Sequence, residues 1–188
     1  MTRIVAGTLG GRRLAAPAGS RTRPTSDRVR EGLFNTLQAL VDLAGTRFAD
    51  LYAGSGAVGL EAYSRGAAQV LLVESQPAAA RVARANVAAL RAAPAVRLVT
   101  ADVATVLGSG VGTEPAYDVV FADPPYATPD DQLVALQRAL LDGGWLAPDA
   151  IVVVERATRS AGVRWAEPLT EVRTRRYGET TLWYGQRS

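Results

Sequence analysis

Apolar residues in this chain follow two patterns. Runs that are apolar almost throughout occur at Arg47–Tyr52, Val70–Glu74, Val96–Ala101, Asp118–Ala122 and Ala150–Glu155, as expected of strands covered on both faces. Between them, apolar positions recur three and four residues apart, the helical period. Val29, Leu33, Leu37 and Leu40 predict a helix running to about Leu40, with Ser26 or Asp27 as its cap. Further helices are predicted over Val58–Arg65, closed by Gly66, over Ala78–Ala92, and over Asp130–Leu141, closed by Gly143-Gly144. The two ends differ from this middle. "RIVAGTLGGRRLAAP" (3–17) alternates about Gly10-Gly11 as a short hairpin, and "AGSRTRPT" after it is a loop. "RTRRYGETTLWYG" (173–185) alternates about Gly178-Glu179 as a second hairpin. Alternating strands and helices that finish in a hairpin predict an α/β fold. Its sheet is doubly wound, mostly parallel and seven-stranded, with an antiparallel C-terminal hairpin and a small N-terminal hairpin extension. No internal repeat is visible.

Composition narrows the chemistry. At 188 residues and 48% hydrophobic, the chain suits one domain with a substantial core. It contains neither cysteine nor histidine, so thiol nucleophiles, disulfides, histidine bases and histidine metal ligands are excluded, and no metal site is expected. No apolar run approaches membrane-spanning length, and no signal-peptide core follows Met1; a cytoplasmic protein is expected. All 21 basic residues are arginine. Their placement says more than their sum. Residues 1–30 carry seven arginines against one acid, residues 31–155 seven against 14, and residues 156–188 seven against three. An acidic middle lies between two basic ends. Basic ends suit an anionic polymer, and an acidic middle suits a small cationic ligand.

The first motif is "ADLYAGSGAVGLEA" (49–62), where Gly54, Gly56 and Gly59 fit G-x-G-x-x-G between a strand and a helix. With Glu74 ending the next strand, this is also a dinucleotide fingerprint, so a nicotinamide oxidoreductase competes. Asp50 argues against it. An acid four residues before the first glycine repels a pyrophosphate and attracts a cofactor carrying an amino group and a sulfonium. Asp102 ends the third strand, and either binds a ligand or caps the segment 103–107. Asp50, Glu74, Asp102 and Asp123 all fall at the carboxyl ends of successive strands, the edge at which open α/β sheets bind ligands.

The second motif is "FADPPYAT" (121–128). Two prolines end a buried strand and stiffen the loop. In a doubly wound sheet the first and fourth strands are neighbours, so this loop is expected beside the glycine turn. The arrangement suits methylation of an exocyclic amino group on a nucleobase. Such a nitrogen is a poor nucleophile because its lone pair is delocalised into the ring. Asp123 and the Pro124 carbonyl would accept its two N–H bonds and stabilise charge that develops on it. Tyr126 offers a stacking face, and the base must be unpaired or flipped out.

These motifs carry a resemblance. D-x-x-x-G-x-G resembles motif I of S-adenosylmethionine-dependent methyltransferases, and D-P-P-Y resembles the signature of those acting on adenine N6, cytosine N4 or guanine N2. "RIVAGTLGGRRL", "RPTSDRVREGLFNTL" (23–37) and "RRYGETTLWYG", in that order around the two motifs, resemble the bacterial 16S ribosomal RNA guanine-N2 methyltransferase family over nearly the whole chain. The resemblance implies a Rossmann-like methyltransferase fold and S-adenosylmethionine as cofactor. It places Asp50, Tyr52, Gly54, Gly56, Glu74, Ser75, Asp102 and Asp123 at the cofactor and gives Asp123, Pro124, Pro125 and Tyr126 to catalysis. Residues 1–22 become a basic RNA-binding arm on a methyltransferase domain of residues 23–188. RNA contacts fall on Arg12, Arg13, Arg21, Arg23, Thr25 and Arg28. The implied partner is small-subunit ribosomal RNA or the assembling small subunit, bound by a monomer with no membrane association.

Read from the residues alone, the same arginines are phosphate contacts or solvated charge. Arg30 and Glu31 read as helix-surface charges. Tyr177 and Trp183 read as sheet-packing residues rather than base-stacking ones. Because the first strand of the sheet begins near Arg47, the catalytic fold is expected to survive loss of residues 1–22. Besides the oxidoreductase, the alternatives are a DNA adenine-N6 or cytosine-N4 methyltransferase and a non-catalytic RNA-binding assembly factor of the ribosome.

Overall fold

The computed structural model describes residues 2–17 and 26–188. The chain divides into two compact units, Met1–Asp102 and Val103–Ser188.

In the first unit, β1 (Thr2–Arg3) and β2 (Arg13–Leu14) pair antiparallel. α1 (Asp27–Leu40) starts where capping predicts, with Ser26 Oγ accepting the Val29 N–H at 3.2 Å. Val29, Leu33, Phe34 and Leu37 form its buried face. Then follow β3 (Arg47–Asp50), α2 (Ala57–Ser64), β4 (Gln69–Val73), α3 (Pro77–Ala89) and β5 (Val96–Val99). β4 pairs in parallel with both β3 and β5. α3 begins one residue before the predicted start because Pro77, with its φ preset, takes the first helical position. It stops short of Ala92: Leu90 is its cap and Arg91 turns out of the helix at φ 53°.

The N-terminal hairpin is built into this unit. Ile4 is wholly buried and Leu14 nearly so. The N–H groups of Val5 and Ala6 donate to the Glu61 carboxylate on α2 at 2.7 and 3.0 Å. The Leu9 N–H donates to Ser64 Oγ, which in turn donates to the Ala6 carbonyl. On α3, Asn86 accepts the Ala15 N–H and donates to the carbonyls of Ala15 and Ser55. Arg30 is not a surface charge. It is fully buried, lies 2.8 Å from Asp27 and 3.8 Å from Glu61, and donates to the Arg3 carbonyl. Glu61 is also paired with Arg65 at 2.8 Å. Buried charges persist only when paired and bonded in this way. Removing residues 1–22 takes away two donors to a buried carboxylate and a side chain of the core, so the fold does not come through that deletion untouched.

The second unit holds α4 (Val103–Gly108), β6 (Tyr117–Ala122), α5 (Asp130–Asp142), β7 (Leu146–Ala157), β8 (Leu169–Tyr177) and β9 (Thr180–Arg187). β6 pairs in parallel with β7, and β9 lies antiparallel between β7 and β8. β7 outruns its predicted span at both ends: Leu146 pairs with Tyr117 of β6, and β9 pairs with it continuously from Ile151↔Gln186 to Ala157↔Thr180. Val119, Val120, Phe121, Val152, Val153, Leu182 and Tyr184 fill the core. Trp183 packs against Gly162, where a Cβ would come within 3.0 Å of the indole. The fold is therefore the expected α/β one, a mostly parallel seven-stranded sheet with a C-terminal antiparallel hairpin. Among the described residues, no helix is long and apolar enough to cross a membrane.

Candidate active site

In the first unit the site is the turn between β3 and α2. Gly54 and Gly56 take φ values of +55° and +81°, which only glycine adopts readily. Nothing lies within 4 Å of the Cβ position at Gly54, so the turn faces open space there. Gly59 has the opposite role: a Cβ would meet Leu72 at 2.3 Å and Val70 at 2.9 Å, so glycine lets α2 lie close on β4. Two acids lock the turn. Asp50 is buried and its Oδ2 accepts the Gly59 N–H at 3.1 Å. Glu74, half-buried after β4, accepts the Gly54 N–H at 2.8 Å and the Gln76 N–H at 2.7 Å. The Gly56 N–H donates to the Ala53 carbonyl at 2.7 Å. Both turn glycines thus spend their N–H groups inside the protein, and neither is left to donate to a pyrophosphate. Tyr52 is half-buried, and burial pushes its phenol above the usual range. Ser75 and Asp102 are exposed.

In the second unit the site is the loop after β6. Ala122 is paired with Val154, so Asp123, just past the end of β6, and Glu155, still within β7, come next on neighbouring strands. Both line a small cleft with Pro124, Pro125, Tyr126, Arg156 and Ala157. Burial raises the Asp123 carboxyl from 3.8 to about 6. No described residue is seen to donate a hydrogen bond to it. Pro124 is buried, while Tyr126 is 62% exposed, the one large hydrophobic side chain so exposed among the described residues. The loop is nevertheless held firmly. The Thr128 N–H donates to the Pro125 carbonyl at 2.9 Å, and Arg156 donates to the Thr128 carbonyl and pairs with Asp130. From Tyr126 a second cleft of about 300 Å³ runs past Ala157, Thr158, Arg159, Arg176, Gly178 and Glu179.

Of the arginines expected at RNA, Arg12, Arg13 and Arg28 are exposed. Arg21, Arg23 and Thr25 lie outside the described residues. Sequence reasoning missed Glu155 and Arg156, and it missed the support provided by Arg30, Glu61 and Asn86. A charged residue inside the otherwise apolar "AVGLEAYS" was the available signal for Glu61, and "VVVE" repeats the strand-then-acid pattern of the other sites.

A family model described as Conserved hypothetical protein 95 matches residues 2–186. Ribosomal RNA small subunit methyltransferase D of Escherichia coli (strain K12) is 40% identical over 153 residues, 81% of this chain and 73% of that one. The chain belongs to this family. The solved structure of the Escherichia coli protein yhhF, 32% identical, superposes with a TM-score of 0.85 over 99% of this chain and 97% of its own. An RNA methyltransferase from Salinibacter ruber in complex with S-adenosyl-L-homocysteine, 19% identical, shares the fold at a TM-score of 0.64, covering 87% of this chain and 93% of that one.

Proposed function

We propose that the protein methylates the exocyclic N2 of one guanine in small-subunit ribosomal RNA, with S-adenosylmethionine as methyl donor. The observation that carries this reading is Asp123: a carboxylate raised to about 6 by burial, bonded by no described donor, on a proline-stiffened loop beside an exposed tyrosine ring. Asp123 is half-buried, so its carboxylate has lost part of its solvent shell, and N–H groups of a ligand would restore what burial removes.

The glycine turn fits the proposed cofactor. Gly54 opens onto free space, and the Glu74 carboxylate keeps lone pairs for ribose hydroxyls while it holds the turn. When bound, S-adenosylmethionine supplies an electrophilic methyl group on a sulfonium. The protein's part is to present the nitrogen. Tyr126 stacks the flipped guanine, and Asp123 and the Pro124 carbonyl accept the two N2–H bonds, which draws the nitrogen lone pair out of conjugation. As the N–C bond forms, N2 must lose a proton, and the Asp123 carboxylate accepts it. Nothing in this scheme needs histidine, cysteine or a metal.

The name of the Escherichia coli relative supports ribosomal RNA as substrate, and the Salinibacter complex supports the cofactor. The decisive experiment incubates the protein with small-subunit RNA, or small subunits lacking the modification, and S-adenosylmethionine labelled in the methyl group, followed by nucleoside mass spectrometry. N2-methylguanosine at one position is expected. Label in N6-methyladenosine or N4-methylcytosine would overturn the guanine reading, and no label in any nucleic acid would leave the assembly-factor alternative.

A further inference from the structure

The three bases whose amines such a loop can methylate differ at the neighbouring ring nitrogen. Beside N2, guanine carries N1–H, a donor. Beside the amine of adenine or cytosine stands a bare ring nitrogen, an acceptor. A flipped base is read along this edge. A guanine site therefore needs acceptors facing two adjacent nitrogens, whereas an adenine or cytosine site needs an acceptor next to a donor.

The cleft at the ends of β6 and β7 offers two acceptors. Val154 is the partner of Ala122, the last pair of a parallel ladder, and the next residues are Asp123, just past β6, and Glu155, within β7. Neighbouring strands lie about 4.8 Å apart. Both residues line the same cleft. The cation there, Arg156, is committed to the Thr128 carbonyl and Asp130, away from the role of donor to a base. Glu155 is also fixed in place by its strand, since β7 is paired with β9 at Glu155↔Leu182 and Leu182 is fully buried.

We propose that Glu155 selects the base: its carboxylate accepts guanine N1–H while Asp123 accepts N2–H. This rests on the guanine-N2 reading above. Two consequences follow from the chemistry. A base bearing two adjacent N–H donors matches two acceptors, and a base with a lone pair at the neighbouring ring nitrogen leaves one of them facing another acceptor. Accepting N1–H also pushes electron density through the ring onto N2, the atom that attacks the methyl group.

The experiment uses the full chain and a small-subunit RNA fragment joined from synthetic pieces, with the methylated guanosine replaced by 2-aminoadenosine. That analogue keeps the N2 amine but has a lone pair at N1. A site built to bond a donor rejects an analogue lacking it strongly, so the wild type should prefer guanosine by at least about 100-fold in kcat/KM. In Glu155→Gln, whose amide can donate to N1, the preference should shrink below about 10-fold, through a fall on guanosine and a relative gain on 2-aminoadenosine. An unchanged preference, or an equal loss on both RNAs, overturns the assignment. A second measurement needs no variant. RNA with inosine at the position, which has N1–H and no amine, should inhibit the wild type more tightly than RNA with adenosine there, and equal inhibition overturns the assignment. Absence of N2-methylguanosine from every RNA overturns the guanine reading and this assignment with it, whereas a wild-type preference in Glu155→Gln overturns only the assignment.

Discussion

Asp50 and Glu74 in the first unit and Asp123 in the second stand at equivalent places, each at or just after the end of a strand. Their surroundings differ in kind. The two carboxylates of the first unit accept backbone N–H bonds and so hold the turn together. The Asp123 carboxylate accepts none from the described residues, and its pKa stands near 6 through burial. An acid at a strand end is thus either a clasp for its own backbone or a group kept ready for something the protein lacks. The count of donors tells the two apart.

The largest effect that follows is on turnover. Asp123→Ala should lower kcat on RNA by about 10²–10³-fold, the usual loss for one preorganised group facing developing charge, with affinity for S-adenosylmethionine little changed by calorimetry. Glu74→Ala should do the reverse. It removes a charged acceptor of two N–H bonds, each bond to a charged group contributing about 1.5–3 kcal/mol, and should weaken cofactor binding at least tenfold while lowering the thermal midpoint. If both variants lost turnover and affinity alike, the contrast between the two acids would be wrong.

A second test concerns the dependence of stability on pH. The Asp123 carboxyl titrates near 6 in the folded chain and near 3.9 when unfolded. Between those values the native state holds the extra proton, so stability falls as pH rises from about 4 to about 6 and stays lower above it. A shift of about two units corresponds to roughly 3 kcal/mol. Asp123→Asn should therefore be more stable than the wild type at pH 7, by roughly 1–3 kcal/mol on the same scale, and should match it near pH 4. Asp50→Asn should gain nothing at either pH, because its carboxylate already has a donor. Denaturant melts at the two pH values measure both. Activity should run the other way: under the proposed mechanism ionised Asp123 is the working form, so kcat/KM should fall about tenfold per pH unit below 6.

Most of the frame was legible in sequence because it depends on local signals. Continuous apolar runs marked β3 to β7, caps marked α1, and the glycines and prolines marked both loops. What escaped depends on pairings far apart along the chain. Arg30 looks like any helix arginine until Glu61, on another helix, is found beside it. Asn86 looks like a solvent-facing residue until the hairpin backbone lands on it. In sequence Glu155 closes an apolar run as Asp123 does, but only the β6–β7 pairing shows which acid is its neighbour. For the same reason the N-terminal hairpin looked detachable: its sequence names two short strands and gives no sign that its N–H groups end on α2.

Tyr126 gives an intermediate effect. Stacking on one base is worth about 1–3 kcal/mol, so Tyr126→Ala should weaken RNA turnover roughly tenfold while Tyr126→Phe changes it little. A Phe variant as poor as Ala would shift the role from the ring to the hydroxyl.

The smallest effect concerns the basic ends. Residues 1–22 cannot simply be cut away, since Val5 and Ala6 supply donors to buried Glu61; a truncated chain would lose RNA binding through its fold and prove nothing about charge. Arg12 and Arg13 are the better probes, because both are exposed and neither holds a buried partner. Arg12→Ala/Arg13→Ala should keep the thermal midpoint and cofactor affinity. If both side chains meet phosphates, the slope of log affinity against log salt should flatten by about 1.4, at roughly 0.7 per contact on a single strand. The matching pair on the second unit is Arg159→Ala/Arg176→Ala, whose side chains line the cleft that starts at Tyr126. A flattened slope in the first pair alone places the RNA backbone along the hairpin, and one in the second pair alone places it along the cleft. Flattening in both means that the strand carrying the target base is gripped by both basic ends, with the acidic middle left to the cofactor.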